Sequence, residues 1–132
     1  MATRGDVTRF LGDFSAAISL GRHKWVARPL VDRHQQLIDL GMTENLAVET
    51  IKNLGPDNYS GGPKPDDKDP NRSIWVFGED VDGVEAYIKL ALQPHNKKRS
   101  IVYGMIWSFH KAEFPMTYPL RVEPDEDKKN EK

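Results

Sequence analysis

Between residues 7 and 20 the apolar positions Val7, Phe10, Leu11, Phe14 and Ile18 recur at three- and four-residue steps, one stripe along a helix. Gly21 follows as a C-terminal cap. The basic stretch Arg22-His23-Lys24-Trp25-Val26-Ala27-Arg28 fits a short strand or an extended linker. Pro29 suits the first turn of a second helix over about 30–40, with Leu30, Leu37, Ile38 and Leu40 on its apolar side and Gly41 as its stop. Thr43 is a good N-cap for a third helix over about 44–54, with Leu46, Ile51 and Leu54 facing inward, and Gly55-Pro56 ends it.

Residues 55–72 hold four prolines and three glycines, which predicts loop throughout. Beyond it the period changes from helical to alternating. Strands are expected over 73–78, 84–92 and 100–110, with Asp82-Gly83 as a hairpin turn and residues 93–99 as a second connection. A loop with two prolines and a charged tail, 122–132, follow; the tail has too few apolar residues to dock and is expected to be disordered. Helices first and strands after predict one α+β domain over 1–121, its N-terminal helices packed on one face of an antiparallel sheet, its other face partly open.

Alternation assigns the faces. In the second strand Val84, Ala86, Ile88, Leu90 and Leu92 form a uniformly apolar set, expected beneath the helices. Tyr87 and Lys89 then share the open face. In the third strand both sets contain apolar residues. The bulkier set, Ile101, Tyr103, Met105, Trp107 and Phe109, is expected in the core. Val102, Gly104, Ile106, Ser108 and His110 are expected on the open face, and a slip or bulge would reverse this.

Tyr87, Lys89 and His110 on one face suit phosphodiester chemistry without a metal or other cofactor. A histidine moves a proton near neutral pH, a lysine stabilises charge developing on phosphate, and a tyrosine hydrogen-bonds phosphate or stacks on a base. The plainer reading is a solvated sheet face, which often holds such residues. His23, Lys24, Arg28 and Arg33 form one basic cluster and Lys97, Lys98 and Arg99 another; either is a phosphate contact or a solvated loop tip. Trp25, Trp75 and Trp107 read as core or interface residues rather than stacking platforms. Asp66, Asp67 and Asp69 match no calcium-loop spacing and read as a solvated acidic loop. The pair His110 and Glu113 lacks further ligands for a metal site. No glycine-rich phosphate loop follows a strand.

Composition narrows the classes. The chain has 132 residues, enough for one core, with 38% hydrophobic and 30% charged. The absence of cysteine removes disulfides, a thiol nucleophile and Cys-based zinc sites. The opening MATRGDVTRF carries no apolar run of signal-peptide length, and no stretch suits a membrane span, so the expectation is a soluble cytoplasmic protein. Net charge is −1; the tail holds five acids and three bases, and subtracting them from 20 and 19 leaves 15 acids against 16 bases. A phosphate-binding surface would therefore be a local patch.

Residues 54–120 resemble the MqsR-type toxins of bacterial toxin–antitoxin systems, as a divergent branch. The resemblance lies in Pro56-Asp57-Asn58-Tyr59-Ser60-Gly61-Gly62-Pro63, Pro65-Asp66-Asp67, Ile74-Trp75-Val76-Phe77-Gly78, Ala86-Tyr87-Ile88-Lys89-Leu90, Ser108-Phe109-His110-Lys111-Ala112-Glu113 and Tyr118-Pro119. It implies a RelE-like fold and a ribosome-independent, metal-free mRNA interferase, in which a ribose 2′-hydroxyl attacks the adjacent phosphorus. It further implies a single-stranded RNA substrate and a cognate antitoxin protein with a DNA-binding domain. Tyr87 matches the family's active-site tyrosine, and His110 stands where the family has a basic residue after Ser-Phe. A catalytic role for Lys89 is our own inference. The family's loop Lys and post-Trp Gln are absent: Ser60 or Gly61, and Val76, stand there, with Lys64 as a candidate substitute for the Lys. Lys64, Lys97, Lys98, Arg99 and Lys111 are the candidate RNA-binding cations. The departures leave an alternative, a catalytically degenerate toxin-fold protein that binds a partner protein or RNA.

Overall fold

A computed structural model describes residues 1–70 and 72–121; the expected disordered tail lies outside the described residues. The first helix, α1 (Arg4–Ser19), starts earlier than its apolar stripe. Thr3 caps it: its hydroxyl accepts from the Asp6 amide at 3.1 Å, and the Asp6 carboxylate accepts from the Thr3 amide at 3.0 Å. Gly21, at φ 71°, then turns the chain into strand β1 (His23–Trp25).

Helix α2 (Arg33–Asp39) departs from expectation. Its N-cap is Asp32, whose carboxylate accepts from the Gln35 amide at 3.0 Å, so Pro29 and Leu30 lie ahead of it. Leu30 sits at φ 63°, fully exposed, and Ile38 is exposed too. Side-chain capping by Asp32 outweighs the proline signal. Helix α3 (Glu44–Lys52) is capped by Thr43 as expected, but buries Ala47 and Ile51 while Leu46 faces outward.

The segment expected to be loop, 55–72, contains a 3-10 turn (Pro56–Asn58) and strand β2 (Tyr59–Pro65). Proline is tolerated there because, among the described residues, β2 is an edge strand that pairs only with β3 (Ser73–Val81), with two register shifts. Strands β4 (Val84–Pro94) and β5 (Val102–Lys111) complete the sheet, in the order β1-β5-β4-β3-β2. The β2, β3, β4 and β5 pairings are antiparallel, but β1 joins β5 in parallel. The sheet is therefore mixed rather than antiparallel: β1 and β5 are joined not by a hairpin but by the long path through α2, α3 and strands β2 to β4, which leaves β1 free to pair in parallel.

The fold is α+β, with helices on one face. Phe10 stacks on Trp75 at 4.5 Å between ring centroids and lies 5.9 Å from Phe77. Phe77, Ile88, Leu90, Ile106 and Phe109 are buried beneath the helices. Phe14 lies over Gly104, where a Cβ would come within 2.9 Å of its ring. Of the apolar set of β4, Ala86, Ile88 and Leu90 are buried as expected and Leu92 packs against the core, whereas Val84, at the start of the strand, is exposed.

In β5 the expectation holds only at the C-terminal end. A bulge leaves Trp107 without a partner, since Lys89 pairs with Ser108 and Leu90 with Ile106. The extra residue inverts the alternation. Phe109 points into the core and Ser108 and His110 away from it, but N-terminal to the bulge Gly104 and Ile106 face inward and Tyr103 and Met105 outward. Among the described residues no helix is long and apolar enough to cross a membrane.

Candidate active site

The pleat of β4 puts Tyr87 and Lys89 two residues apart on the uncovered face, and β5 brings His110 opposite Tyr87 and Ser108 opposite Lys89. The sequence-predicted trio is therefore brought together by one antiparallel ladder. The Tyr87 and His110 rings stack at 5.1 Å with 18° between planes. His110 Nδ1 lies 2.7 Å from the Lys111 carbonyl oxygen. A carbonyl only accepts, so Nδ1 carries the hydrogen, and in the neutral ring Nε2 keeps its lone pair.

Arg28, in the segment after β1, extends across β5 and donates from Nη1 to Ser108 Oγ at 3.0 Å. Burial pushes the Tyr87 phenol above the ordinary tyrosine range; the Arg28 charge works against this and the Glu113 charge adds to it. Tyr87 therefore holds its proton at neutral pH and serves as a hydrogen-bonding phenol, not a base. The Lys89 ammonium lies 6.0 Å from the centroid of the Trp107 ring, on which the Arg72 guanidinium also rests at 4.9 Å. Tyr87, Lys89, His110, Arg28 and Ser108 line a cleft of about 510 Å³. Ser60 and Val76, which stand where the resembled family carries Lys and Gln, are also on its wall.

The cleft's other wall is the segment 113–117, and Glu85 of β4 secures it. The Glu85 carbonyl accepts from the Ala112 amide at 2.9 Å. Its carboxylate accepts from the Met116 amide at 3.0 Å and from the Tyr118 hydroxyl at 2.7 Å. Tyr118 lies flat against the sheet because position 78 is glycine; a Cβ there would come within 2.9 Å of its ring.

The candidate RNA-binding cations are dispersed. Lys64 is exposed on β2 opposite Ile74, away from the cleft. Lys97, Lys98 and Arg99 sit in the turn between β4 and β5. That turn is beyond Pro94, roughly 23 Å from Tyr87 at about 3.3 Å per residue. Lys111 pairs with Ala86 and so falls on the pleat phase opposite to His110. Asp66 receives the Arg72 guanidinium (Nε at 2.8 Å) and the Lys68 amide, so it serves an ion pair. Among the described residues no group of three or more His, Asp or Glu side chains is placed to hold a metal ion.

Sequence reasoning named Arg28 only as one cation of a cluster; nothing in the sequence signals its bond to a serine 80 positions away. Phe114 and Glu113, also on the cleft wall, carry no periodic signal because they follow the last strand. A second cleft, of about 570 Å³, lies between the 26–34 segment and β5. It shares Arg28 and Ser108 with the first but contains none of Tyr87, Lys89 and His110. Set against protein-family models, curated proteins and solved structures, the chain finds no match.

Proposed function

We propose that this chain is a metal-independent, ribosome-independent endoribonuclease acting on single-stranded RNA, the RelE-like toxin of a type II toxin–antitoxin pair, working in the cytoplasm. The observation that carries the chemistry is the convergence of Tyr87, Lys89, His110 and Arg28 on one cleft. The toxin assignment, and with it a DNA-binding antitoxin as partner, comes from the resemblance of residues 54–120.

In this reading His110 Nε2 accepts the proton of a ribose 2′-hydroxyl. The 2′ oxygen attacks the adjacent phosphorus, the bond from phosphorus to the 5′ oxygen breaks, and the proton taken up by His110 is returned to that leaving oxygen. The products are a 2′,3′-cyclic phosphate and a free 5′-hydroxyl. Lys89 and Arg28 neutralise charge growing on the non-bridging oxygens, and the Tyr87 phenol donates a hydrogen bond to the same group. The test is incubation of the purified protein with RNA in EDTA, with sequencing of the ends. Cyclic-phosphate ends are expected, with a rate about 10²- to 10⁴-fold lower for His110→Ala. Intact RNA, or equal cleavage by that variant, would refute the mechanism.

Ser60 and Val76 on the cleft wall favour a second reading, a toxin-fold protein without activity that binds a protein or RNA. Salt-dependent RNA retention with no product, or a stable protein partner together with inert RNA, would select it.

A further inference from the structure

Phe114 is 78% exposed, beside a cleft of ionic and hydrogen-bonding groups. Single apolar residues on a surface are ordinary. This one is held in place. The segment that carries it is fastened on both sides to one residue, Glu85, through the Ala112 amide before it and the Met116 amide and Tyr118 hydroxyl after it. Pro115 follows directly and restricts the backbone further. The backbone that presents the ring thus has little conformational freedom left to lose.

The neighbours say what it would take. Across the same cleft lie the cations Lys89 and Arg28 and the stacked pair Tyr87 and His110. Cations for an anion beside an exposed aromatic face match a nucleotide, with phosphate on one and base on the other. We propose that Phe114 is a base-stacking subsite, holding the nucleobase next to the phosphate bound by Lys89 and Arg28 and so setting where along a single strand the site engages. This rests on the nuclease reading and adds to it a position-determining residue outside the catalytic trio.

The test uses 2′-fluoro single-stranded oligonucleotides, which lack the attacking hydroxyl, so binding is measured apart from cleavage. Phe114→Ala should weaken binding roughly 5- to 150-fold, the equivalent of a stacking contact of about 1–3 kcal/mol per base at about 1.4 kcal/mol per tenfold. Phe114→Trp should retain affinity and Phe114→Leu should not. A series of oligonucleotides, each with one abasic position, should show one position where losing the base weakens the wild type, and that penalty should vanish in Phe114→Ala. Equal binding by Phe114→Ala, rescue by leucine as full as by tryptophan, or a penalty that persists in Phe114→Ala overturns the subsite while leaving RNA cleavage by the wild type standing. A wild type that neither binds nor cleaves overturns both. Because the ring is exposed, Phe114→Ala should unfold at the wild-type temperature, and a matching Tm separates lost stacking from lost fold.

Discussion

Glu85→Ala removes a carboxylate that receives two hydrogen bonds, from the Met116 amide at 3.0 Å and the Tyr118 hydroxyl at 2.7 Å. Hydrogen bonds to charged groups contribute about 1.5–3 kcal/mol each. Glu85 and Tyr118 are both partly exposed, so water recovers much of that, and the two together are expected to hold the segment closed by about 2 kcal/mol. The bond from the Ala112 amide to the Glu85 carbonyl belongs to the main chain and survives the substitution. The effect should therefore be local opening rather than loss of the sheet. Amide hydrogen exchange reads it directly: the Met116 amide should exchange roughly thirtyfold faster, while amides within the β4–β5 ladder slow and speed only with global stability. Tyr118→Phe removes one of the two bonds and should give a smaller increase. Met116 exchange within twofold of wild type in Glu85→Ala would refute the idea that this carboxylate fastens the cleft wall.

Burial and the bond to Glu85 push the Tyr118 phenol well above the ordinary tyrosine range. The folded state favours the neutral phenol, so its contribution is complete below about pH 10, where a free tyrosine ionises, and is lost as pH rises through the raised value; a phenolate absorbance titration should show Tyr118 and Tyr87 lagging, with one of the two late signals absent in Tyr118→Phe, and no earlier loosening of Met116. Arg28→Ala should lower kcat/KM for RNA about a hundredfold, and the slope of log affinity against log salt should fall by about 0.7, one phosphate contact to a single strand. Neutralising Lys97, Lys98 and Arg99 together should leave cleavage of a short oligonucleotide within about twofold of wild type, since that turn is at the far end of the ladder; a loss as deep as that of Arg28→Ala would contradict the placement. Gly104→Ala sets a Cβ within 2.9 Å of the Phe14 ring and should cost about 1–3 kcal/mol in a urea titration, with no change attributed to the cleft.

Where one period dominates, the fold was legible. The stripe Val7, Phe10, Leu11, Phe14 and Ile18 is buried throughout, and so are Ala86, Ile88 and Leu90, which leave Tyr87 and Lys89 on the other side. Where two periods compete it was not. Both phases of β5 carry apolar residues, and the bulge at Trp107 serves each in turn, which alternation alone does not encode. His110 reaches the open face because it lies beyond that bulge. Strand β2 was hidden by Gly61, Gly62, Pro63 and Pro65, whose local preference for turns yields to pairing with β3. Leu30 reads as helix core by spacing, yet the Asp32 cap starts the helix after it. The cleft was half legible for the same reason: Tyr87 and Lys89 follow from one strand, whereas Arg28 and the Glu85-fastened wall depend on contacts 80 and about 30 positions apart.

The irregular strand β2 matters beyond the site it adjoins. A sheet with an unpaired rim invites addition of another molecule's strand, edge to edge. Here one rim is β2, broken by two register shifts and carrying Pro63 and Pro65, which have no amide hydrogen to offer, with Lys64 between them. The other rim is β1, only three residues long. Neither margin gives an incoming strand a ladder to extend. The same prolines that concealed β2 in the sequence act as gatekeepers against fibrous self-association, and replacing Pro63 and Pro65 by β-branched residues would remove that protection.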